Sequence, residues 1–474
     1  MIAEARSIVA RASLDRERVA NGRVALVSFV LAFAVLLSVA LIEGAKPFYY
    51  DSLNYWMLGE TFVRHGDFSL LNFNSPLRGY LLPLVDHGLQ GLAGTIGWSP
   101  STSARIFNAL VFALICGVLG PAIAELAWPQ RRWGMWRRLA LVVPFIVFWR
   151  GFLSFPLSDF PALACVLLAL VASARPLSPA WMLLAGVAAG AAIQARPSYT
   201  TLVVIVPVLV AWRLIEDREP SREWLLRVVL CLTLLIAGFV GISLPQSLQT
   251  HRHFKSWSFV PGSADHLENL QLTEGLRLQR YETYIGTGHG PQMFYEDPSG
   301  AKLLSSRAGA QVSGIGEYVS LTAEHPLTIA GVIARHVVSG LDQRYSTPYI
   351  EHLDTGSHRW MRIVGFLLIF LALLRLLWPA SRRALGKARW RYPVALIACC
   401  VTSLPSAMET RFLLPLYVLI YLLVLAPGWP SPLVHGASGL RRWRTVAVIT
   451  AAAVPFLVVF WAVTSATSSH LHFG

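Results

Sequence analysis

The chain has 474 residues, of which 55% are hydrophobic and only 14% are charged. Soluble domains have roughly 25% charged residues, so this composition argues against a soluble globular enzyme, and the high apolar content argues against disorder. The net charge is +14, from 40 Lys and Arg against 26 Asp and Glu. With a mean hydropathy of +0.53, this basic excess indicates a membrane protein, and we expect no nucleic-acid partner.

The first apolar segment, residues 24–42, carries no charge and is long enough to cross about 30 Å of hydrocarbon. A cleavable signal peptide is the alternative, but the segment is too long and the sequence after it is a poor cleavage site. We therefore predict a permanent first span with a cytoplasmic N-terminus. Ten further spans are predicted at 104–127, 139–157, 160–174, 181–194, 199–213, 225–245, 363–379, 393–407, 412–427 and 445–465.

Basic clusters orient the spans, because cytoplasmic loops carry an excess of Lys and Arg. All four clusters, at 131–138, 213–227, 382–391 and 441–444, are cytoplasmic only if the apolar segment 79–98 does not cross. That segment is predicted to be re-entrant or to lie on the membrane surface, in agreement with Asp86 and His87 in its middle. The expected fold is an all-α polytopic membrane protein with about 11 transmembrane helices and an outer C-terminus. The Ala-, Leu- and Arg-rich composition suggests a bacterial cytoplasmic (inner) membrane.

Three units follow from this topology. Residues 1–245 are predicted to form an N-terminal transmembrane module with its first outer loop at 46–103, and this module contains the catalytic candidates described below. Residues 246–362 form an extracytoplasmic region of ordinary soluble composition and mixed structure, and residues 363–474 form the C-terminal transmembrane helices. Within the second unit, residues 327–341 are apolar but short and carry Arg335 and His336. They are predicted to form an amphipathic helix on the bilayer surface.

Two aspartates are the leading catalytic candidates, because ionisable groups at a membrane are costly and are retained for function. Asp51 follows the first span in Phe48-Tyr-Tyr-Asp-Ser-Leu-Asn, and Asp159 stands where the fourth span begins. The topology places both on the outer face at the same level. There they could share an acceptor hydroxyl or a divalent cation. An ordinary helix cap is the alternative for each.

Arginines on the same face complement these carboxylates. Arg196 and Arg411 lie at short outer turns, and Arg150 lies about two-thirds of the way across the third span. A guanidinium group binds phosphate through two parallel hydrogen bonds, so these residues suit a phosphorylated ligand. Snorkelling of Arg150 to the surface is one alternative, and an ion pair between Glu409 and Arg411 within their loop is another.

Other catalytic signatures are missing from the sequence. It contains no H-E-x-x-H zinc motif, no G-x-S-x-G, no Walker loop and no dinucleotide fingerprint. The five cysteines lie in apolar runs and lack the C-x-x-C spacing of a metal site. ATP-driven transport by this chain is therefore not expected.

The order of motifs along the outer face is more informative than any one of them. In chain order they are Asp51 and Tyr55, Gly66-Asp67, Ser75-Pro-Leu-Arg-Gly-Tyr-Leu-Leu-Pro83, Ser158-Asp159, Leu184-Ala-Gly with Gln194-Ala-Arg-Pro197, and Glu409-Thr-Arg-Phe-Leu-Leu-Pro415. This order resembles the GT-C superfamily of polyprenyl-phosphate-sugar-dependent membrane glycosyltransferases. Protein O-mannosyltransferases and lipid A aminoarabinose transferases belong to that superfamily.

The resemblance implies an inverting enzyme that moves a sugar from a polyprenyl-phosphate carrier to a hydroxyl of a glycan, lipid or protein acceptor. The reaction would take place at the outer leaflet, among membrane lipids. Asp51 would be the catalytic base, and Asp159 would be the second acidic residue. Arg196 and Arg411 would bind the donor phosphate, joined by Arg150 on the basis of its depth.

The same resemblance implies a substrate-binding set made of Tyr55, Arg78 and Glu409. Asp51 would also hold a divalent cation, Mg²⁺ or Mn²⁺, if the reaction uses one. Two departures from the family pattern leave the acceptor and the metal dependence open. Ser52, not a second acidic residue, follows Asp51, and Ser75-Pro76-Leu77 replaces the His-Pro-Pro or Lys-Pro-Pro of many members.

Two other functions remain as alternatives. A lipid-linked-glycan polymerase or ligase would use outer-loop Arg and His residues such as Arg252, His253 and Arg344. A transporter of lipid-linked sugars would carry charges in the middle of its spans and internal repeats. The spans show few such charges, and we find no fixed-period repeat.

Overall fold

The computed structural model of the protein describes residues 2–128, 132–216, 221–262, 267–306, 310–353, 356–377, 390–426, 439–468 and 470–473. In the first half of the chain the helices are α1 (Ile2–Ile42), α2 (Tyr50–Leu58), α3 (Leu81–Ile96), α4 (Pro100–Leu114), α5 (Gly120–Ala127), α6 (Met135–Trp149), α7 (Asp159–Ser173), α8 (Pro179–Ala195), α9 (Leu202–Glu216) and α10 (Arg222–Phe254). A π-helical turn, Ile115–Leu119, joins α4 to α5.

The second half of the chain contains the remaining described helices. They are α11 (Leu267–Arg277), α12 (Pro298–Ser305), α13 (Ile315–Glu324), α14 (Pro326–Leu341), α15 (Gly356–Leu377), α16 (Arg391–Ala398), α17 (Leu414–Leu425) and α18 (Gly439–Ser468). Short 3₁₀ turns interrupt the connections at Gly59–Phe62, Leu70–Asn72, Arg150–Ser154, Pro197–Tyr199, Val401–Ser403 and Thr410–Leu413.

The described strands form two small antiparallel or mixed sheets. One is a hairpin of β1 (Val63–Arg64) and β2 (Asp67–Phe68). The other has the order β5-β3-β4-β6, with β3 (Leu278–Tyr284), β4 (Gln292–Glu296), β5 (Tyr349–Ile350) and β6 (Leu471–Phe473). Strand β5 runs parallel to β3, and the other pairs are antiparallel. Because β6 pairs with β4, the end of the chain lies beside the region 246–362.

The expectation of a mainly helical fold is confirmed, since the structure is 74% helical. In the described part of the chain, five helical segments are long and apolar enough to cross a membrane: Asn21–Ile42, Pro100–Ala127, Pro197–Glu216, Arg222–Phe254 and His358–Leu377. They coincide with five of the predicted spans. Five of the other predicted spans contain shorter helices, and the span predicted at 445–465 lies within α18 (Gly439–Ser468), so the total number of crossings stays a prediction.

Exposed apolar side chains mark the surface of these helices. Val204 on α9 and Leu226 and Ile236 on α10 are all largely exposed. A continuous apolar surface of this kind is unfavourable in water, whereas lipid chains solvate it well. The exposed faces of α9 and α10 therefore fit a protein embedded in a bilayer.

Helices α8 and α10 pack closely against each other. A Cβ atom on Gly186 would overlap the carbonyl oxygen of Leu235, and one on Gly238 would overlap that of Leu183. Small residues at such positions let two helix backbones approach closely, as membrane helices often do. This contact holds the end of α8 beside the long helix α10.

The segment predicted to be re-entrant or to lie on the surface forms α3. Its 16 residues are fewer than the ~20 that a transmembrane helix needs. Asp86 is fully buried on the face that packs inwards. The helix therefore rests against its neighbours through an inner face that includes a carboxyl group.

The predicted amphipathic helix at 327–341 forms α14. Its two ionisable residues, Arg335 and His336, both make hydrogen bonds within the protein. Arg335 donates to both oxygens of Asp297, at 2.7 and 2.9 Å. His336 is buried, with its ring nitrogens 2.6 Å from the Leu404 carbonyl oxygen and 3.0 Å from that of Leu278. One face of α14 therefore packs into the protein, and its contact with a bilayer stays a prediction.

Two predicted domain boundaries fall inside continuous helices. The proposed boundary at 245/246 falls inside α10, which runs without interruption to Phe254. The boundary at 362/363 falls inside α15. Arg131, Arg218 and the basic cluster at 382–389 lie outside the described residues.

Candidate functional site

The segment between α1 and α4 folds back onto the end of α8 and the C-terminal half of α10. The backbone N–H of Tyr80 donates to Gln246 Oε1 at 3.1 Å, and its hydroxyl donates to the Ile242 carbonyl oxygen at 2.7 Å. A Cβ atom on Gly79 would overlap the carbonyl oxygen of Gln194. The glycine thus permits a close approach that brings the neighbouring Arg78 to the end of α8.

Asp51 lies in the first turn of α2 but does not cap it. The Ser52 hydroxyl accepts from the Tyr49 N–H at 2.9 Å and donates to the Tyr49 carbonyl oxygen at 2.7 Å. The start of the helix is therefore stabilised by Ser52. The Asp51 carboxylate instead accepts from Arg78 Nη2 at 2.5 Å.

Asp159 and Arg196 meet where α7 begins and α8 ends. Helix α8 ends at Ala195, and Arg196 is extended with φ −151°, as expected for a residue before proline. From that position the Arg196 guanidinium donates to the Asp159 carboxylate. It also lies 4.7 Å from the centre of the Phe412 ring, a distance suited to a cation–π interaction.

Arg411 joins the carboxylates of three separate segments. Its Nε donates to Glu409 at 2.6 Å, so the ion pair that was the alternative interpretation of this loop is present. Its Nη1 donates to Asp159 Oδ2 at 3.3 Å, and its Nη2 lies 3.5 Å from Asp51 Oδ2. We call the connected set the ion-pair cluster; it consists of Asp51, Arg78, Asp159, Arg196, Glu409 and Arg411.

The cluster balances three carboxylates against three guanidinium groups. Its members differ in their access to solvent. The Asp159 side chain is only 1% exposed, whereas that of Asp51 is 34% exposed. Asp51 is therefore the carboxylate that a substrate can reach, and the buried Asp159 fixes the positions of Arg196 and Arg411.

Charge fixes the protonation of the accessible carboxylate. Burial would raise the pKa of Asp51, but the nearby Arg78 and Arg411 outweigh it and hold the pKa below its usual value. Burial raises the pKa of Glu409, and Arg411 only partly offsets the effect. Asp51 is thus ionised at neutral pH and able to accept a proton once its arginine partners are engaged elsewhere.

Two other predicted site residues differ in their placement. The Tyr55 ring lies 5.1 Å from the Arg78 guanidinium carbon, and its hydroxyl donates to Ser158 Oγ at 3.3 Å, so it adjoins the cluster. Arg150 pairs with Glu43 at 2.8 Å and is 46% exposed. No ion pair between described residues joins Arg150 to the cluster.

A buried ion pair that was not predicted from the sequence lies next to Arg411 and contacts the residue before it. Arg280 on β3 donates to Glu282 at 2.6 Å and to the hydroxyl of Thr410, the residue before Arg411, at 3.2 Å. Both residues of the pair line a recess that reaches Glu409 and Arg411. The Arg-x-Glu spacing was a usable signal, because alternate residues of a strand lie on one face.

The residues around Asp51 do not fit a resident divalent cation. Its Oδ1 accepts from Arg78, and its Oδ2 faces Arg411, and these positive groups would repel a cation. Within the described ranges, no group of three or more His, Cys, Asp or Glu residues is placed to hold a metal ion. We therefore derive no step through a metal.

The ion-pair cluster draws its members from the segment between α1 and α4, the start of α7, the end of α8 and the turn before α17. No protein-family model matches the chain, and no curated protein matches it either.

Proposed function

We propose that the protein is a GT-C-type membrane glycosyltransferase. It would move a sugar from a polyprenyl-phosphate carrier to a hydroxyl of a glycan, lipid or protein acceptor at the outer face of a bacterial cytoplasmic membrane. One observation carries the proposal: Arg411 links the carboxylates of Asp51 and Asp159. Arg78 and Arg196 complete a site that has both a reachable carboxylate and several phosphate-binding groups.

Asp51 is the proposed catalytic base. As the acceptor oxygen attacks the anomeric carbon, its proton passes to the Asp51 carboxylate. The bond between the anomeric carbon and the phosphate oxygen breaks, and the carrier leaves as polyprenyl phosphate with one more negative charge. Arginine guanidinium groups fixed in advance stabilise that charge as it develops. Arg78 and Arg411, both in contact with Asp51, are placed to do so.

Asp159 is proposed as a positioning residue. Its buried carboxylate accepts from Arg196 and from Arg411, so it fixes two of the three arginines. A substrate cannot easily reach a side chain that is 1% exposed. Removing its charge would take from the buried Arg196 its carboxylate partner and from Arg411 one of three carboxylates, which is costly.

Donor binding and base activation are coupled in this scheme. The ion-pair cluster is neutral as it stands, and the donor phosphate must compete with Asp51 for Arg78 and Arg411. When the phosphate takes these partners, Asp51 loses the positive charges that lower its pKa and becomes a stronger base. The carboxylate is then free at the moment when donor and acceptor are both present.

The topology that we propose has about 11 spans, with the N-terminus inside and the C-terminus outside. Two contacts support it. Strand β6 at the end of the chain pairs with β4 in the region assigned to the outer face. Arg391 donates to Glu216 at 2.9 Å, which joins two helix ends that are both assigned to the cytoplasmic side.

Purified protein in proteoliposomes, supplied with a panel of labelled polyprenyl-phosphate sugars and candidate acceptors, tests the proposal. We expect transfer of a single sugar with release of polyprenyl phosphate, with or without chelator. Transfer of a preassembled oligosaccharide would instead support the polymerase or ligase. Movement of the intact donor across the bilayer would support the transporter.

Two of the residues that a polymerase or ligase would use, His253 and Arg344, instead make structural contacts. This favours the glycosyltransferase. The His253 ring lies 3.0 Å from the Leu71 carbonyl oxygen and helps to hold the first loop. Arg344 donates to Asp342 at 2.7 Å. Both side chains have structural contacts away from the ion-pair cluster.

A further inference from the structure

The outer sheet contains a groove that the proposed reaction does not yet use. It lies beyond the last residues of strands β3 and β5, beside the turn that follows β3. Its volume is about 490 Å³, within the usual range for small-ligand sites. Among the residues that line it are Tyr284, Gly286, Thr287, His289, Glu351 and His352.

The walls of the groove are fixed by hydrogen bonds. The Tyr284 hydroxyl donates to the Thr287 carbonyl oxygen at 3.1 Å, which holds the turn after β3. The Ile285 N–H donates to the Ile350 carbonyl oxygen at 2.8 Å, which joins the two walls. Such a groove is formed before a ligand arrives, so little ordering cost accompanies binding.

The chemistry of the lining suits a neutral ligand with many hydroxyl groups. The His289 ring is exposed and stacks on Phe473 with 4.1 Å between ring centres. The Glu351 side chain is 45% exposed, and His352 is exposed beside it. Carboxylate, imidazole and hydroxyl groups offer both donors and acceptors. No described residue that lines the groove is an arginine or lysine, and Lys46, which lies 3.4 Å from the Glu351 carboxylate, is already paired with that charge.

Strand β5 connects this groove to the helix that carries Asp51. The Tyr349 hydroxyl accepts from the backbone N–H of Ser52 at 3.0 Å. Its ring packs edge-on against Tyr49, with 5.7 Å between ring centres. Glu351 in the groove follows only two positions after Tyr349. A chain-like ligand in the groove therefore lies next to the proposed catalytic helix.

We infer that the groove binds the acceptor and that the acceptor is a carbohydrate chain. This inference rests on the proposed function only in naming the ligand as the acceptor. A peptide acceptor would be expected to add a strand to an exposed sheet edge. Edge strand β5 has only two residues, which offers too few backbone hydrogen bonds for that mode.

Binding of carbohydrate by the full-length protein, in nanodiscs and without donor, tests the inference. The probes are an array of short neutral oligosaccharides and a matched panel of Ser/Thr-rich peptides. One variant combines His289→Ala, Glu351→Gln and His352→Ala, and a second, Thr287→Trp, fills the groove from an exposed turn position. Lys46→Gln controls for loss of the Lys46–Glu351 ion pair, and His325→Ala is an exposed histidine control elsewhere on the outer region.

We expect the unaltered protein to retain at least one oligosaccharide. The triple variant and Thr287→Trp should weaken that binding by about tenfold or more, while both controls and polyprenyl-phosphate binding stay unchanged. Retention of no oligosaccharide, capture of peptides instead, or unaltered binding by both groove variants would overturn the inference. Groove-dependent carbohydrate binding without sugar transfer from any donor would overturn only the proposed function.

Discussion

Arg411 and Asp159 lie 252 positions apart in the chain, and Arg411 Nη1 donates to Asp159 Oδ2 at 3.3 Å. The same guanidinium contacts Glu409 and Asp51. One side chain therefore joins the start of α2, the start of α7 and the turn before α17. The site depends on this arginine both for its charge balance and for its geometry.

Replacement of Arg411 should accordingly be more damaging than replacement of a peripheral arginine. Arg411→Ala removes a group aimed at the departing phosphate, and transfer should fall by about a hundredfold or more. Arg411→Lys keeps the charge but loses the planar fork, so we expect intermediate activity. The measurement is the initial rate of sugar transfer with reconstituted protein.

Arg150→Gln is the matched control, since Arg150 pairs with Glu43 outside the ion-pair cluster. Its transfer rate should stay within about threefold of the unaltered protein, as expected for a partly exposed ion pair. Equal losses for Arg150→Gln and Arg411→Ala would contradict the assignment of Arg411 as the central residue.

The pH dependence should differ between the free protein and the donor complex. In the free protein, Arg78 and Arg411 outweigh burial and lower the pKa of Asp51. Its carboxylate therefore stays ionised down to pH values below the usual ~3.9, and kcat/KM should be flat between pH 5 and 8. In the donor complex the phosphate occupies the arginines, so the acidic limb of kcat should lie at higher pH.

Steady-state rates of sugar transfer across this pH range give the profiles of kcat/KM and of kcat. The stability of the protein is measured at each pH as a control. A fall of kcat/KM below pH 7 at constant protein stability would contradict a depressed pKa for the base. Coincident acidic limbs in the two profiles would argue against competition between the phosphate and Asp51 for the same arginines.

Asp86 should make stability depend on pH. Its buried carboxylate oxygens have no hydrogen-bond partner among the described residues, and burial raises its pKa to about 8. The folded protein thus binds this proton more tightly than the unfolded chain does, and stability falls as pH rises from about 4 towards 8. Asp86→Asn should raise Tm by a few °C at pH 9 and leave it nearly unchanged at pH 3, where this carboxyl group is protonated in both the folded and the unfolded chain. Thermal unfolding in detergent tests this; an equal effect of Asp86→Asn at both pH values would contradict it.

The approach of the first loop to α8 should be sensitive to one methyl group. A Cβ atom on Gly79 would overlap the Gln194 carbonyl oxygen, so Gly79→Ala must displace the loop that carries Arg78. Because small displacements at a reacting centre are costly, transfer should fall by about tenfold or more. Gly88→Ala is the matched control, since a Cβ there meets no atom within 4 Å. Equal activity of the two variants would show that the loop position does not matter.

Much of the site follows from sequence because its residues are rare charges beside apolar helices. Asp51, Asp159, Arg196 and Arg411 stand out by that contrast, and the structure brings all four into contact. The pattern of apolar segments also predicts the mainly helical fold. Arg150 stands out in the same way, but depth along a span carries no information about its partner, which is Glu43.

The features of the site and fold that could not be predicted from the sequence depend on contacts between distant segments of the chain. Arg280 and Glu282 lie in a region of ordinary composition, where a buried ion pair has no contrast with its neighbours. Strand β6 is three residues long and finds its partner β4 far back in the chain. Asp86 was expected at a surface, and only the packing of α3 shows that its carboxyl group is buried. The Arg-x-Glu spacing is a local signal for the first of these contacts only; no local pattern encodes the pairing of β6 with β4 or the burial of Asp86.

Sugar transfer and polyprenyl-phosphate binding by Asp51→Asn test the central claim most directly. Asp67→Asn, an exposed aspartate of the same loop, is the control. Asp51→Asn removes both the base and the charge that competes for Arg78 and Arg411. Its transfer activity should be lost, while it binds polyprenyl phosphate roughly tenfold more tightly; Asp67→Asn should resemble the unaltered protein. Full transfer activity or weakened polyprenyl-phosphate binding by Asp51→Asn would contradict the account.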